Sequence, residues 1–421
     1  MLSKTAKITR TWLDGQVRVL YVVSAYPRHP GDVITPWLTE TIRRLRAEDV
    51  EVEVLAPAYR GSSSQVVDGV RVHRFRYAPA RLESLTHDQT APDRIRERPI
   101  YLSLVPGYVL AGTFAAVRLT RSGRFDIVHV FWPIPHGLFG VAARRISGLP
   151  LVCTFFGVEL TWLRKQFPLL RTVLKRIVRD ADAVTAISSY TAAQLQDQAP
   201  HARPAIIPFG AAVEPQAGPT PKSFSGAPFQ LLFVGRLVER KGVQFLLDAV
   251  AELRSTSNVH LEIVGDGPLR AQLQEHAQSL DIADLVGFRG SIPRTELERS
   301  FASCDAFVLP AVTDSKGDAE GLGVVLLEAM TYGKPVIASA SGGIVDIVRN
   351  FETGLLVAPG DARALADAIR SYIGQPQLAS RLAEAGRAHA EQHFGWAAII
   401  GRLTSLYSSL APPHRRSHAQ L

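Results

Sequence analysis

Cysteine is nearly missing from these 421 residues: there are two, Cys153 and Cys304, each set in an apolar, strand-like run. A disulfide framework is thereby excluded, and buried thiols in a reducing, cytoplasmic setting are expected. Zinc-type spacing of Cys and His is absent, and so is any interleaving of aromatic with basic residues. The formal charge of +8, carried mostly by arginine, therefore does not point to nucleic acid. Phosphate-bearing substrates and anionic membrane surfaces account for it as well. No apolar core follows the polar, basic start Met1 to Arg10, so no secretory signal is expected. The apolar segment Pro99 to Val117 is interrupted at Pro106-Gly107, and its unbroken part falls short of the roughly 20 residues a membrane span needs. A buried or surface-embedded helix is expected there. Gly265-Asp266-Gly267 lacks the third glycine of a dinucleotide fingerprint, which leaves NAD without support.

The chain is long enough, and at 46% hydrophobic residues apolar enough, for two domains with full cores. Val17 to Ser24 reads as a buried parallel strand, Trp37 to Ala47 as a helix and Val50 to Ala56 as a second strand. In such a βαβ unit the intervening loop, with Gly31, lies at the carboxyl edge of the sheet, where open α/β sheets bind ligands. Asp32 beside it either caps the helix or meets a substrate. Arg60 to Arg98 has weak periodicity and reads as irregular. Asp126 to Phe131 and Pro150 to Phe155 are further strands, with the helix Gly137 to Ser147 between them.

Leu163 to Arg179 places apolar residues on one helical face and Arg164, Lys165, Arg171, Lys175, Arg176 and Arg179 on the others. That pattern suits docking on an anionic bilayer and equally suits a core-facing helix with solvated charges. Asp180-Ala181-Asp182 precedes the strand Ala183 to Ile187 and reads as a turn, so no metal is expected. After a short strand, Ile206 to Gly210, the Pro-, Gly- and Ser-rich stretch Val213 to Phe229 reads as a linker. From Gln230 the alternation resumes: a strand to Val234, helix Val243 to Arg254, strand His260 to Val264, helix Leu269 to Ser279, then strands Val286 to Arg289, Ala306 to Pro310 and Pro335 to Ser339. The pattern is helical from Leu365 to His393 and again from Trp396 to Leu410.

Two loops of this second half concentrate the chemistry. In Thr313 to Val345, a polar loop delivers Glu320 and Gly321-Leu322-Gly323, and a helix is expected to begin near Gly323 with Glu328 about one turn in. The leading N–H groups and positive dipole end of such a helix favour an anion, and the glycines let a diphosphate approach the backbone. Upstream, Gly235-Arg236-Leu237 and Lys241-Gly242 follow a strand, and an Arg fork with a Lys point charge is a common way to hold a pyrophosphate.

Glu320 and Glu328, separated by seven residues, together with Gly235-Arg236-Leu237 and Lys241-Gly242, resemble the signature of the retaining glycosyltransferases of family four. The resemblance implies the GT-B fold, an α/β architecture of two Rossmann-like, doubly wound domains facing across a cleft. It implies a nucleotide-diphospho-sugar donor (UDP- or GDP-sugar), a glycan or lipid-linked acceptor, and no cofactor or metal. By similarity Arg236 and Lys241 meet the diphosphate, Glu320 the sugar hydroxyls and Glu328 the ribose. Gly235, Gly265, Gly321, Leu322 and Gly323 line the donor, Arg294 lies near the base, and Gly31, Phe156 and Gly157 face it from the first domain. Family members carry a Gly pair where His29-Pro30-Gly31-Asp32 stands, and most often a His where Phe156 stands.

The domains expected are a mobile start (1–15), an acceptor-side domain (16–212) completed by a crossing helix (396–410), a linker (213–229), a donor domain (230–395) and a disordered tail (411–421). The reaction expected is transfer of a hexosyl unit in cell-surface polysaccharide or glycoconjugate synthesis, at the inner face of the membrane. Alternatives are another enzyme on the same fold, such as a nucleotide-sugar epimerase, or a non-catalytic nucleotide-sugar-binding subunit.

Overall fold

The computed structural model describes residues 16–32, 34–87, 91–166, 170–211 and 228–411. The expected mobile start, nearly all of the linker and nearly all of the tail lie outside the described residues.

The first half forms an eight-stranded sheet: β1 (Val17–Val22), β2 (Val50–Pro57), β3 (Gln65–Val67), β4 (Val70–Phe75), β5 (Ile127–Phe131), β6 (Leu151–Phe155), β7 (Ala183–Ala186) and β8 (Ala205–Ile206). Their spatial order is β3-β4-β2-β1-β5-β6-β7-β8, parallel throughout except for β3 against β4. β5 and β6 are buried at every residue, as strands covered by helices on both faces must be. The second half forms a parallel six-stranded sheet of β9 (Phe229–Val234), β10 (Val259–Val264), β11 (Val286–Gly290), β12 (Ala306–Leu309), β13 (Val336–Ser339) and β14 (Leu355–Val357), ordered β11-β10-β9-β12-β13-β14. In each sheet the strand order reverses beside its first strand, between β1 and β5 and between β9 and β12. Loops leaving the carboxyl ends of such a pair diverge and open a crevice.

Several expectations are corrected. Arg60 to Arg98 is not irregular: it holds the β3–β4 hairpin, whose Asp68 and Gly69 both have positive φ (48° and 78°), the Asp-Gly turn that matches strand twist. β4 then adds to the sheet in parallel with β2. Leu163 to Arg179 is two helices, Val158–Gln166 and Arg171–Asp180, with residues 167–169 outside the described set. Leu163, Leu174, Ile177 and Val178 are buried in the core, so the membrane-docking reading of this stretch loses its apolar face. Pro106 does not interrupt the apolar segment: a 3-10 turn, Pro99–Leu104, runs into an α-helix, Val105–Thr120, with Pro106 in the first turn where its missing N–H costs nothing. β8 stops at Ile206, before Pro208. The helical run after Leu365 divides at Gln375 into Ala362–Gly374 and Pro376–Phe394, and β14 was not anticipated.

The last helix, Trp396–Leu410, packs on the first sheet's half of the molecule. Trp396 Nε1 donates to the Ala211 carbonyl (3.0 Å), the Arg44 guanidinium lies 4.9 Å from the Trp396 ring, and the Tyr407 hydroxyl meets those of Tyr21 (2.7 Å) and the Nδ1 of His129 (2.7 Å).

Candidate functional site

The loops that leave β9 and β12, the pair flanking the second sheet's crevice, are locked together. Gly242 (φ +65°) brings its backbone so near the end of β12 that a Cβ there would lie 1.9 Å from the Pro310 carbonyl oxygen. Glu239 accepts hydrogen bonds from the Ser315 backbone N–H (2.8 Å) and hydroxyl (2.7 Å), and Val312 N–H donates to the Arg240 carbonyl (2.8 Å). The result is an ion pair between loops remote in sequence: Lys241 Nζ lies 2.7 Å from Glu320 Oε2, both side chains largely shielded from water. Burial pushes the Glu320 carboxyl up. The charge and hydrogen bond of Lys241, the charge of Arg240 and the Gly323 backbone N–H outweigh it and leave the group below the ordinary carboxylate range.

Glu320 is fixed from behind. Gly342 (φ +58°) and Gly343 lie against its main chain: a Cβ at 342 would lie 2.0 Å from the Glu320 carbonyl oxygen, and Gly343 N–H donates to that oxygen (2.8 Å). Gly323 takes the left-handed conformation (φ +87°) at the start of the helix Val324–Thr331, whose leading N–H groups have no side-chain cap. Leu322 is buried, and Glu328 is buried on that helix. Gly265 packs on the neighbouring loop, where a Cβ would lie 2.0 Å from the Gly235 carbonyl oxygen. Arg236 is exposed, and its side chain makes no hydrogen bond or ion pair among the described residues. The crevice therefore gathers Gly235, Arg236, Lys241, Gly265, Glu320, Gly321 and Gly323: a free guanidinium, an ammonium already engaged, and backbone open to an anion.

The first half meets this group through the loops after β6 and β7. A Cβ on Gly321 would lie 3.3 Å from the Phe156 carbonyl oxygen, so that carbonyl faces the Glu320–Gly321 turn. Across the same interface Ser189 donates from its N–H (2.6 Å) and its hydroxyl to Asp346. The Phe156 ring lies in an aromatic wall, stacked on Trp132 (4.0 Å between centroids) and Phe209 (5.3 Å), with Trp37 4.0 Å from Phe209. Gly157 (φ +101°) forms the turn into the next helix.

Arg294 and Gly31 are also predicted for the site, and each has defined local surroundings. Arg294 follows the edge strand β11 and pairs with Glu298 (3.0 Å). Gly31 sits in a turn with open space around it. Asp32 neither caps a helix nor stands free: its carboxylate takes the Arg28 N–H (3.0 Å) and Nε (2.6 Å), which holds it down at about 2. The Asp180 and Asp182 carboxylates are bound by Arg145, Arg176 and Arg144, the pattern of an arginine-stitched turn.

Sequence reasoning missed Glu159. It is buried, and its Oε1 accepts the Phe156 N–H (2.8 Å), so it shapes the turn that aims the Phe156 carbonyl. Burial pushes its carboxyl up to about 7 despite bonds from the backbone N–H groups of Phe156, Glu159 and Gly157. An acid in the first turn of a helix was the available signal. Also unforeseen was Ser341, whose buried hydroxyl has no partner among the described residues beside the Gly342-Gly343 turn. His129 and His136 are core groups. Desolvation lowers them to about 3 and 4, and they bond Thr154 and Tyr407, and Tyr108, respectively.

Residues 220–389 match the family model described as glycosyl transferases group 1, and residues 34–210 match the glycosyl transferase 4-like domain. The chain is 34% identical over 356 residues to the GDP-mannose-dependent alpha-(1-6)-phosphatidylinositol monomannoside mannosyltransferase of Mycolicibacterium smegmatis, covering 80% of this chain and 91% of that protein. It is 28% identical over 283 residues to the putative colanic acid biosynthesis glycosyltransferase WcaL of Escherichia coli, covering 65% and 69%. Among solved structures, sucrose-phosphate synthase from Thermosynechococcus elongatus superposes with a TM-score of 0.72 at 24% identity, over 94% of this chain and 99% of that one.

Proposed function

Since the chain belongs to the group 1 glycosyl transferases and is a hexosyltransferase of the GT-B fold, we propose that it moves a mannosyl unit from GDP-mannose to a glycolipid acceptor with retention of anomeric configuration. The observation that carries this reading is the Lys241–Glu320 pair at the crevice, in a chain 34% identical to a GDP-mannose-dependent mannosyltransferase. Glu328 takes the ribose hydroxyls and Glu320 those of the hexose. Arg236, free in the crevice, and Lys241 meet the diphosphate. Their effect is largest when the sugar–phosphate bond breaks and charge gathers on the leaving GDP. The acceptor oxygen forms its bond to the anomeric carbon on the face GDP leaves, and its proton passes to the departing phosphate oxygen. The Phe156 carbonyl, aimed at Gly321, faces the positive charge that develops between them. No side chain at position 156 acts as a base in this scheme, which accommodates a Phe where relatives have a His. The first half, closed by Trp396–Leu410, holds the acceptor.

The acceptor side also carries the membrane contact. One face of Pro99–Thr120 packs inward through Tyr108, Gly112 and Ala116, while Ile100, Leu102, Leu110 and Phe114 project into solvent (57–73% exposed). Exposed Arg98, Arg118 and Arg121 flank them, an arrangement suited to the anionic inner leaflet.

The test is release of the nucleoside diphosphate from a panel of GDP-, UDP- and ADP-sugars, comparing the wild type with Glu320→Ala and Arg236→Ala. GDP released from GDP-mannose alone, and suppressed by both substitutions, supports the proposal. Release from a UDP- or ADP-sugar instead overturns the donor assignment.

A further inference from the structure

The helices Val158–Gln166 and Ser189–Gln198 leave the carboxyl ends of the neighbouring strands β6 and β7 and pack against each other. Between them lies a cavity of about 210 Å³, lined by Thr161 and Arg164 from the first helix and by Ala193, Gln194, Asp197 and Gln198 from the second. That is far above the roughly 15 Å³ a single water needs, and it has room for one pyranose ring.

The floor of this cavity is polar and unsatisfied. Gln194 and Gln198 stand four residues apart and so share one face of their helix. Gln198 is 5% exposed; its Nε2 donates to the Leu160 carbonyl (3.0 Å), which fixes the amide's orientation and leaves Oε1 buried with no partner among the described residues. Gln194 Nε2 meets the hydroxyls of Thr161 (3.4 Å) and Tyr190 (3.1 Å), and its Oε1 is likewise buried and without a partner among the described residues. Thr161, also buried, gives its own proton to the Gly157 carbonyl (3.4 Å). Two side-chain carbonyls out of water without a donor are costly, and a ligand that donates relieves both.

The lining narrows the chemistry of that ligand. Only Arg164 and Asp197 are charged; both are exposed and opposite in sign. Carbonyl oxygens on the floor repel a phosphate or carboxylate, and no buried anion lines the cavity to hold an ammonium. A neutral polyhydroxyl ring fits: its hydroxyls donate to the two amide oxygens, take hydrogen bonds from Arg164 and give them to Asp197.

The cavity adjoins the turn that carries the Phe156 carbonyl. A Cβ on Gly157 would lie 3.2 Å from Gln194 Oε1, and Thr191 Oγ1 donates to the Phe156 carbonyl (3.5 Å). From Gln194 to Gln198 the helix advances about 6 Å, close to the length of one sugar ring. Tyr190, at the Gln194 end, is raised by desolvation and by the charge of Asp318 from the second half, so this end borders the cleft.

We propose that this cavity is a subsite for a second hexose of the acceptor. The sugar that receives the new unit lies at the Phe156 carbonyl, and the next ring of the glycan enters between the helices and donates its hydroxyls to Gln194 and Gln198. This rests on the assignment of the first half as the acceptor side. It makes the preferred acceptor at least a disaccharide, held through uncharged sugar.

The test is a saturation-transfer NMR titration of the full chain, with and without saturating GDP, by methyl α-mannoside and by the α-linked methyl mannobiosides. The wild type with GDP is expected to bind one mannobioside at least ten-fold more tightly than the monosaccharide. Ala193→Leu fills the cavity from an exposed position and is expected to erase that preference while affinity for the monosaccharide and for GDP stays unchanged. Gln198→Met is expected to do the same, provided that GDP stabilises it thermally as it does the wild type. Equal affinity for all the sugars, binding of none, or a preference that survives Ala193→Leu overturns the subsite, and a cavity that holds only water gives one of these results. Disaccharide binding that GDP abolishes belongs to the donor side, and overturns the proposal through the reading it rests on. Absence of GDP release from GDP-mannose overturns the donor assignment separately.

Discussion

Lys241 Nζ and Glu320 Oε2 approach to 2.7 Å, joining the loop after β9 to the loop after β12. The two proposed diphosphate and sugar ligands therefore neutralise each other until a donor arrives. A phosphate that draws Lys241 toward itself frees one carboxylate oxygen for sugar hydroxyls, so the donor's two ends are recognised together. Removing either partner strands a shielded charge, and Lys241→Met or Glu320→Gln alone is expected to cost about 3 kcal/mol. The double substitution is expected to cost less than the sum of the two, as urea titrations of the four chains would measure. Each single change should lower turnover by a factor on the order of 100 or more.

Acid should reach this pair late. The Glu320 carboxyl lies below its ordinary value in the fold, so its contribution to stability is complete above the usual carboxylate range and is lost only as pH falls through the depressed value. Wild type and Glu320→Gln should therefore diverge in thermal stability at neutral pH and converge in strong acid.

Glu159 carries the opposite sign. Its carboxyl is raised from 4.5 to about 7 in the fold. The folded chain then holds a proton that the unfolded chain has released, and stability declines as pH rises from about 4.5 to about 7, by at most roughly 3 kcal/mol. Glu159→Gln keeps the acceptor oxygen for Phe156 N–H and removes the titration. It should match the wild type near pH 5 and exceed it at pH 8 in melting temperature. Equal pH profiles for the two would refute the assignment.

Gly342→Ala should damage turnover more than stability. The added methyl would fall 2.0 Å from the Glu320 carbonyl oxygen, at a left-handed φ that favours glycine, and the turn carrying Glu320 must shift. Turnover is expected to drop at least ten-fold while GDP still stabilises the chain. Gly401→Ala, with nothing within 4 Å of the new methyl, should leave both unchanged.

Ser189→Ala tests the contact across the cleft. It removes the hydroxyl bond to Asp346 and leaves the Ser189 N–H bond. The radius of gyration without ligand should increase and return toward that of the wild type with GDP-mannose bound. No difference in scattering between the two chains would show that this contact does not hold the halves together.

How much of this was legible in the sequence depended on how local the cause was. Gly321-Leu322-Gly323 announced a helix start because a left-handed residue before Val324 and apolar spacing after it lie within a few residues. The pairing of Lys241 with Glu320 was not legible, since it depends on which strands become neighbours, and strand order is fixed by long-range packing. Both acids and both cations were named, but the salt bridge between two of them was not. The β3–β4 hairpin was missed although Asp68-Gly69 signalled it, because a three-residue strand is too short to show alternation and β4 breaks its own at Arg74-Phe75. Gln198 could not be singled out among the glutamines of its helix, because its burial follows from the helices after β6 and β7 lying side by side. Glu159 reads as a routine first-turn acid until the closure of the core around it is known.

Gly210 and Trp396 touch: a Cβ on Gly210 would lie 2.7 Å from the indole, and the indole N–H bonds the next carbonyl, that of Ala211. These residues mark the chain's exit from the first half and its return, so both covalent crossings leave from a single spot on the surface. Two bodies pinned at one spot cannot slide apart; they pivot, and the displacement grows with distance from the pin. Ser189 and Asp346, which join the halves through other loops, then work as the clasp on a hinged case.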